Sequence, residues 1–275
     1  MRRTRWLVLG IVITALLSAA ALAPAKGIKI SQDSEDFTVG AGAVGGDEAD
    51  CGGKRAVSGG FFGEFESGGG VPAVIPLVSM RKSEPEWSSR ALNIGGGSGD
   101  ATVYAYCAKK KKFPKLRQGS EDETLTAPQV FDVTAECPGN RRAISGGFEI
   151  PDSFTVVTTS MRSGRGSWTV EFRPVSSVVE VEAFVYCAKG VKLKQRSSET
   201  SLSSGEVDTE EARCKRNQRV VSGGFDTDSD GVNTVGIGSA SRRAGKRAWE
   251  ATANAALDPQ DLTVYAYCLK QPKKK

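Results

Sequence analysis

One five-residue stretch, Val57-Ser58-Gly59-Gly60-Phe61, returns as Ile144 to Phe148 and again as Val221 to Phe225. Each copy follows a cysteine by a few residues. Each is answered downstream by an aromatic stretch that ends in a second cysteine, so Cys51 and Cys107, Cys137 and Cys187, and Cys214 and Cys268 bracket three units. Recurrence at this spacing marks a repeat architecture, in which stacked neighbours complete one another's core.

The segments ahead of each first cysteine are rich in Gly, Ser and acids, yet they keep register. Lys26-Gly27-Ile28-Lys29-Ile30 matches Lys112-Phe113-Pro114-Lys115-Leu116 and Lys189-Gly190-Val191-Lys192-Leu193, and each leading lysine stands 25 residues before its cysteine. Gln32, Gln118 and Gln195 align, as do Ala49, Ala135 and Ala212. A free linker would not hold such a count, so these segments belong to the folded unit.

Ahead of Lys26 the chain changes character. Arg2, Arg3 and Arg5 precede an uncharged apolar run from Trp6 to Ala23, and Ala23-Pro24-Ala25 supplies small residues for a signal peptidase. Cleavage before Lys26 would expose the first residue of the first repeat. The competing reading is an uncleaved anchor, since the run approaches the length of a membrane span. The expected organisation is a signal peptide over 1–25, repeats over 26–111, 112–188 and 189–270, and a basic tail over 271–275.

Without residues 1–25 the chain carries 34 basic and 32 acidic side chains, a net charge of +2. That balance gives no long-range pull on nucleic acid. Lys109 to Lys112 and Lys273 to Lys275 read as solvated loop and terminus. Six cysteines behind an export signal imply disulfides. The absence of histidine removes Ser-His-Asp and Cys-His triads and every His-bearing zinc site.

Period-two alternation and abundant glycine predict short strands and tight turns. Ala101, Val103, Ala105 and Cys107 share one face of the last strand of the first unit, against Thr102, Tyr104 and Tyr106. The later copies repeat this with Phe184 and Tyr186, then Tyr265 and Tyr267. The small aliphatic face suits a core layer; the aromatic face suits either a half-exposed surface or a seam between units. If the cysteine-bearing strands are antiparallel neighbours, pairing falls within each unit, worth about 4 kcal/mol in the chain-entropy model. A cyclic alternative, Cys107–Cys137, Cys187–Cys214 and Cys268–Cys51, also respects the repeat.

Four features are candidates for more than packing. The glycine pairs interrupt strands and would admit a bulge, a ring or another backbone; no helix follows that could make them a phosphate loop. Arg81/Trp87, Arg162/Trp168 and Arg243/Trp249 are expected to face across hairpins, guanidinium over indole. Tyr104, Tyr106, Tyr186, Tyr265 and Tyr267 are the candidate aromatic binding surface. Asp226-Thr227-Asp228-Ser229-Asp230-Gly231 resembles the first half of a calcium loop, with Asp226, Asp228 and Asp230 as ligands for a weakly held ion; Ile237 stands where the twelfth-position acid would close it. No other cofactor is expected. No acid recurs in register inside the cysteine brackets, so nothing points to a glycosidase pair.

The pattern Cys-Pro-x-Gly, Val/Ile-Ser-Gly-Gly-Phe, Trp and Val-Tyr-Ala-x-Cys resembles repeats of bacterial exported proteins, some of which end collagen-like or phage tail-type chains as single units. The second copy, Cys137-Pro138-Gly139 with Ile144 to Phe148, is nearest; the first and third lack the proline, and the third lacks the glycine too. The resemblance spans all three units and implies no activity or catalytic residue. It does imply that units which assemble as three on a stalk could close around one axis within a single chain. A three-sheet prism, as in the vitelline membrane outer layer family, is such a shape.

The expected fold is all-β, with three tandem disulfide-bonded antiparallel repeats arranged as a pseudo-threefold prism or as small sandwiches in series. The expected role is a secreted, non-catalytic binding or structural module outside the cell. Its expected partner is an extracellular glycan or cell-surface component, with no nucleic acid and no membrane once the leader is removed. A purely structural scaffold and a carboxylate-dependent glycosidase are the alternatives.

Overall fold

The computed structural model describes residues 27–64, 74–151, 155–175, 178–227, 236–255 and 258–272. The expected signal peptide over 1–25, Lys26 and Lys273 to Lys275 lie outside them. The described residues form eighteen strands and no helix. The first repeat supplies β1 (Ile30–Val39), β2 (Val44–Asp50), β3 (Arg55–Gly63), β4 (Val74–Met80), β5 (Glu86–Asn93) and β6 (Gly99–Ala108). The second supplies β7 (Arg117–Thr126), β8 (Phe131–Glu136), β9 (Arg142–Glu149), β10 (Thr155–Met161), β11 (Ser167–Pro174) and β12 (Val178–Ala188). The third supplies β13 (Leu193–Leu202), β14 (Val207–Arg213), β15 (Gln218–Thr227), β16 (Gly236–Arg243), β17 (Ala248–Ala255) and β18 (Gln260–Lys270).

These strands make three six-stranded antiparallel sheets, and no sheet belongs to one repeat. Their orders are β1-β6-β3-β16-β17-β14, β13-β18-β15-β10-β11-β8 and β2-β5-β4-β9-β12-β7. Each repeat gives its first, third and sixth strands to one sheet and its second, fourth and fifth to the next. The repeats therefore close cyclically, and the arrangement of small sandwiches in series is not adopted. Edge strands β1 and β2, β7 and β8, and β13 and β14 meet at the corners. At one such corner a Cβ on Gly119 of β7 would collide with the Glu136 carbonyl oxygen of β8.

The disulfides lie within repeats, as Cys51–Cys107, Cys137–Cys187 and Cys214–Cys268, with Cα separations of 5.5, 5.7 and 5.7 Å. The cyclic pairing is not used. The first cysteine of each pair follows the last residue of β2, β8 or β14, and the second lies on β6, β12 or β18, which belongs to a different sheet. Each bond thus braces two walls of the prism rather than two strands of one sheet. Three such bonds suit an oxidising compartment. Among the described residues no helix is long and apolar enough to cross a membrane.

The glycine motif explains why the repeats close. A register shift falls beside Val57, Ile144 and Val221, so the motif leaves its neighbouring strand as a bulge. The hydroxyl that follows crosses to another repeat: Ser58 donates to the Val221 carbonyl (2.5 Å), Ser145 to that of Val57 (2.8 Å), and Ser222 to that of Ile144. The three bonds form a ring, each repeat giving one and receiving one. Beside it Phe61 packs edge-on against Phe148 (6.0 Å) and Phe225 (6.5 Å). The first glycine of each pair is covered by its own repeat's indole: Gly59 by Trp87, Gly146 by Trp168, Gly223 by Trp249. The second is covered by a neighbour's backbone: Gly60 by Ser241, Gly147 by Ser79, Gly224 by Ser160. Packing alone consumes both glycines.

Candidate functional site

The aromatic face of the last strands is the seam. Tyr106, Tyr186 and Tyr267 are all 0 % exposed. Their hydroxyls accept from the backbone N–H of Arg243, Arg81 and Arg162 respectively, each at 2.7 Å and each from a different repeat. Their rings meet Trp249, Trp87 and Trp168 edge-on at 5.3–5.5 Å. Burial pushes all three phenol pKa values up from 10.0, the backbone bond only partly opposing it. A buried phenol cannot stack on a sugar, so these tyrosines leave the list of candidate ligand-binding residues.

Tyr104 and Tyr265 differ from them and from each other. Tyr104 is 9 % exposed, accepts from Arg242 Nη1 at 2.8 Å, and is roofed by that guanidinium, which also lies 4.5 Å from the Phe62 ring centre. Tyr265 is half-buried, and its pKa is raised first by burial, then by the charges of Asp226 and Glu199. Of the five tyrosines, Tyr265 keeps the most open ring face.

The arginines are also redirected. Arg243 stands opposite Trp249 in register, as the hairpin reading requires. Its guanidinium nevertheless lies over Tyr106 of the first repeat (5.2 Å to the ring centre); Arg81 lies over Tyr186 (5.7 Å) and Arg162 over Tyr267 (4.7 Å). The indole N–H groups are already used, since Trp87, Trp168 and Trp249 donate to Ser79, Ser160 and Ser241 at 3.1, 3.0 and 2.9 Å. Each indole packs down on glycine, so the neighbour's phenol is the ring left for the arginine.

Of the calcium motif, Asp226 accepts from Thr159 Oγ1 at 2.6 Å, across the β10–β15 junction of two repeats. Asp228 and Asp230 lie outside the described residues. No group of three or more His, Cys, Asp or Glu is placed to hold a metal among the described residues.

A different set of acids comes together on the second repeat. Glu182 of β12 stands directly opposite Asp122 of β7 on one side and Glu149 of β9 on the other. With Glu180, Val181 and Pro151 these three line a groove of about 170 Å³. Arg90 approaches Glu149 at 3.9 Å from β5. The matching rows elsewhere are Asp36–Thr102–Phe62 and Glu199–Thr263–Asp226, where the central threonine donates to the acid of the outer strand, at 2.8 and 3.3 Å. Sequence reasoning missed this row because its members come from three separated strands. The one available signal was Glu182 at a position held by threonine in the other two repeats.

No protein-family model matches the chain, and no curated protein matches it.

Proposed function

We propose that the chain acts outside the cell as a rigid, non-catalytic β-repeat module that docks on a cell-surface component through its outer surface. The observation that carries this reading is where the repeated chemistry goes. Serines, glycine pairs, tryptophans, buried tyrosines and their arginines form the ring and seams that close three repeats into one body. Residues spent on closure favour a scaffold whose recognition lies elsewhere. Disulfide bracing adds to the case, since secretion deprives a protein of chaperoned repair and rewards chemical staples.

The test pairs a binding assay with a turnover assay. Exported, oxidised protein is incubated with intact cells and isolated envelope, and separately with a polysaccharide panel monitored for new reducing ends. Retention without hydrolysis supports the module; hydrolysis would move the acid groove of Asp122, Glu149 and Glu182 to the centre of a catalytic reading. Reduction should abolish retention, because loss of one native disulfide costs about 2–5 kcal/mol. A glycan contact predicts further loss on Tyr265→Ala.

A further inference from the structure

We infer that the end of the body carrying the cysteines is a docking face for an anionic phospholipid bilayer. Strands alternate in direction along the chain, and the backbone bonds from Arg243, Arg81 and Arg162 to the buried tyrosines hold all three repeats in the same sense. Every even strand therefore ends, and every odd strand begins, at the cysteine end. All eight connections from an even strand to the next odd strand contain lysine or arginine, from Lys54 through Lys109–Lys112 to Lys246–Arg247. In sequence, none of the nine segments from an odd strand to the next even one contains either. A mature net charge of +2 conceals this separation.

At the cysteine end, each exposed charged side chain of the connections is basic: Lys82 (paired with Glu48), Lys109 to Lys112, Lys115, Arg165, Lys189, Lys192, and the pairs Lys215–Arg216 and Lys246–Arg247. The carboxylate there, Glu84, is half-buried and engaged by Arg55 (2.7 Å) and Lys110 (3.2 Å). Exposed Asp50 and Glu136 stand one step back, as the last residues of β2 and β8. Lys109–Lys112, a solvated run when read alone, is thus one third of a face to which all three repeats contribute.

Three observations favour a bilayer over other polyanions. The bases are distributed over the turns of all three repeats, which fits a charged plane. The one aromatic residue in these connections, Phe113, is 2 % exposed, so no ring is offered for base stacking, and among the described residues no helix is present to enter a groove. Lysine and arginine near an anionic leaflet add attraction that decays within a Debye length.

This inference rests on the surface-module reading and names its partner. The form to test runs from Gly27 to Lys275, which holds all eighteen strands and the three disulfides. It is sedimented with phosphatidylcholine vesicles with and without about 30 mol % phosphatidylglycerol, at low salt and at about 0.5 M salt. The expected result is co-sedimentation with the anionic vesicles alone, lost at high salt. A variant with Lys109, Lys111, Lys215 and Lys246 changed to Glu should partition at least about tenfold more weakly, with an unchanged melting curve. Glu121→Gln with Glu123→Gln should partition as the parent does. Equal binding to neutral vesicles, no binding, or an unaffected charge-reversed variant overturns the proposal. Tighter binding of duplex DNA or a sulfated polysaccharide at the same salt also overturns it and gives the face to a soluble polyanion. Retention on cells by the charge-reversed variant would sink the bilayer inference and leave the surface-module reading standing.

Discussion

The axis of the prism and its basic end are built by opposite rules. At the axis the copies are chemically alike: a Ser donates to the next repeat's carbonyl, an indole covers a glycine, and a Tyr accepts from an Arg N–H, three times over. At the end they agree only in part: Lys112 and Lys115 align with Lys189 and Lys192, whereas Lys110–Lys111, Lys215–Arg216 and Lys246–Arg247 are not repeated and add only to the sign of charge. The difference follows from the forces involved. A hydrogen bond or a ring over a Cα tolerates tenths of an ångström, so cyclic closure demands the same residue in each copy. Attraction across water depends on charge density over roughly a Debye length, so the same outcome survives any shuffling of lysine and arginine. Close contacts therefore hold the copies alike, whereas the surface leaves them free to diverge.

The comparison breaks if the axis tolerates change. Gly147→Ala places a Cβ against the Ser79 carbonyl of the first repeat, and a backbone atom cannot swing aside as a side chain does. The expected cost is about 3 kcal/mol or more. Gly96→Ala, in an open surface turn with nothing within 4 Å, should stay within about 0.5 kcal/mol. Urea unfolding of the two variants measures both, and equal stability would mean the repeats are not closed as described.

A smaller effect tests the phenol–backbone bonds. Tyr186→Phe leaves the Arg81 N–H without its acceptor at a cost of about 1–3 kcal/mol. The pH dependence adds a signature that a packing defect would lack. Burial raises the Tyr186 pKa above its ordinary 10.0, so above that pH the unfolded chain has lost a proton the folded chain still holds. Stability is thus complete below about pH 10 and falls as pH rises beyond it. Tyr186→Phe should be less stable than the parent at neutral pH yet lose stability less steeply in alkali.

The architecture was readable from the chain because repetition and alternation are local. Three copies of Ser-Gly-Gly-Phe, the 25-residue count from each lysine to its cysteine, and the strand periodicities required only counting, and the structure has the three disulfide-bonded repeats they imply. What escaped was everything fixed by partners from another repeat. Arg81 looks paired to Trp87 along the chain, but its ring is Tyr186, 105 residues away. The tyrosine face read as a surface or a seam, and only the shared sheets show which tyrosines the seam takes. The basic end escaped for a different reason: a charge sum over the whole chain cancels what strand parity separates. With strand boundaries in hand, odd and even connections could have been summed apart.

Glu182 is where one copy departs from the other two on the sheet surface, and it makes the mildest prediction. Thr102 and Thr263 donate to Asp36 and Glu199 across their strand pairs, whereas Glu182 meets Asp122 and Glu149, like charge against like on both sides. Directly opposed carboxylates cost a few tenths to about 1 kcal/mol. Glu182→Thr should therefore stabilise the protein by about 0.2–1 kcal/mol, since the hydroxyl can reach Asp122 as Thr102 reaches Asp36. Salt should shrink the gain, because it already screens the parent's repulsion. A surface position that lowers stability in one repeat alone is the kind retained for use rather than for folding. Stabilisation by Glu182→Thr with unchanged retention on cells would confine recognition to other faces. Stabilisation with loss of retention would make the groove between Asp122 and Glu149 part of it.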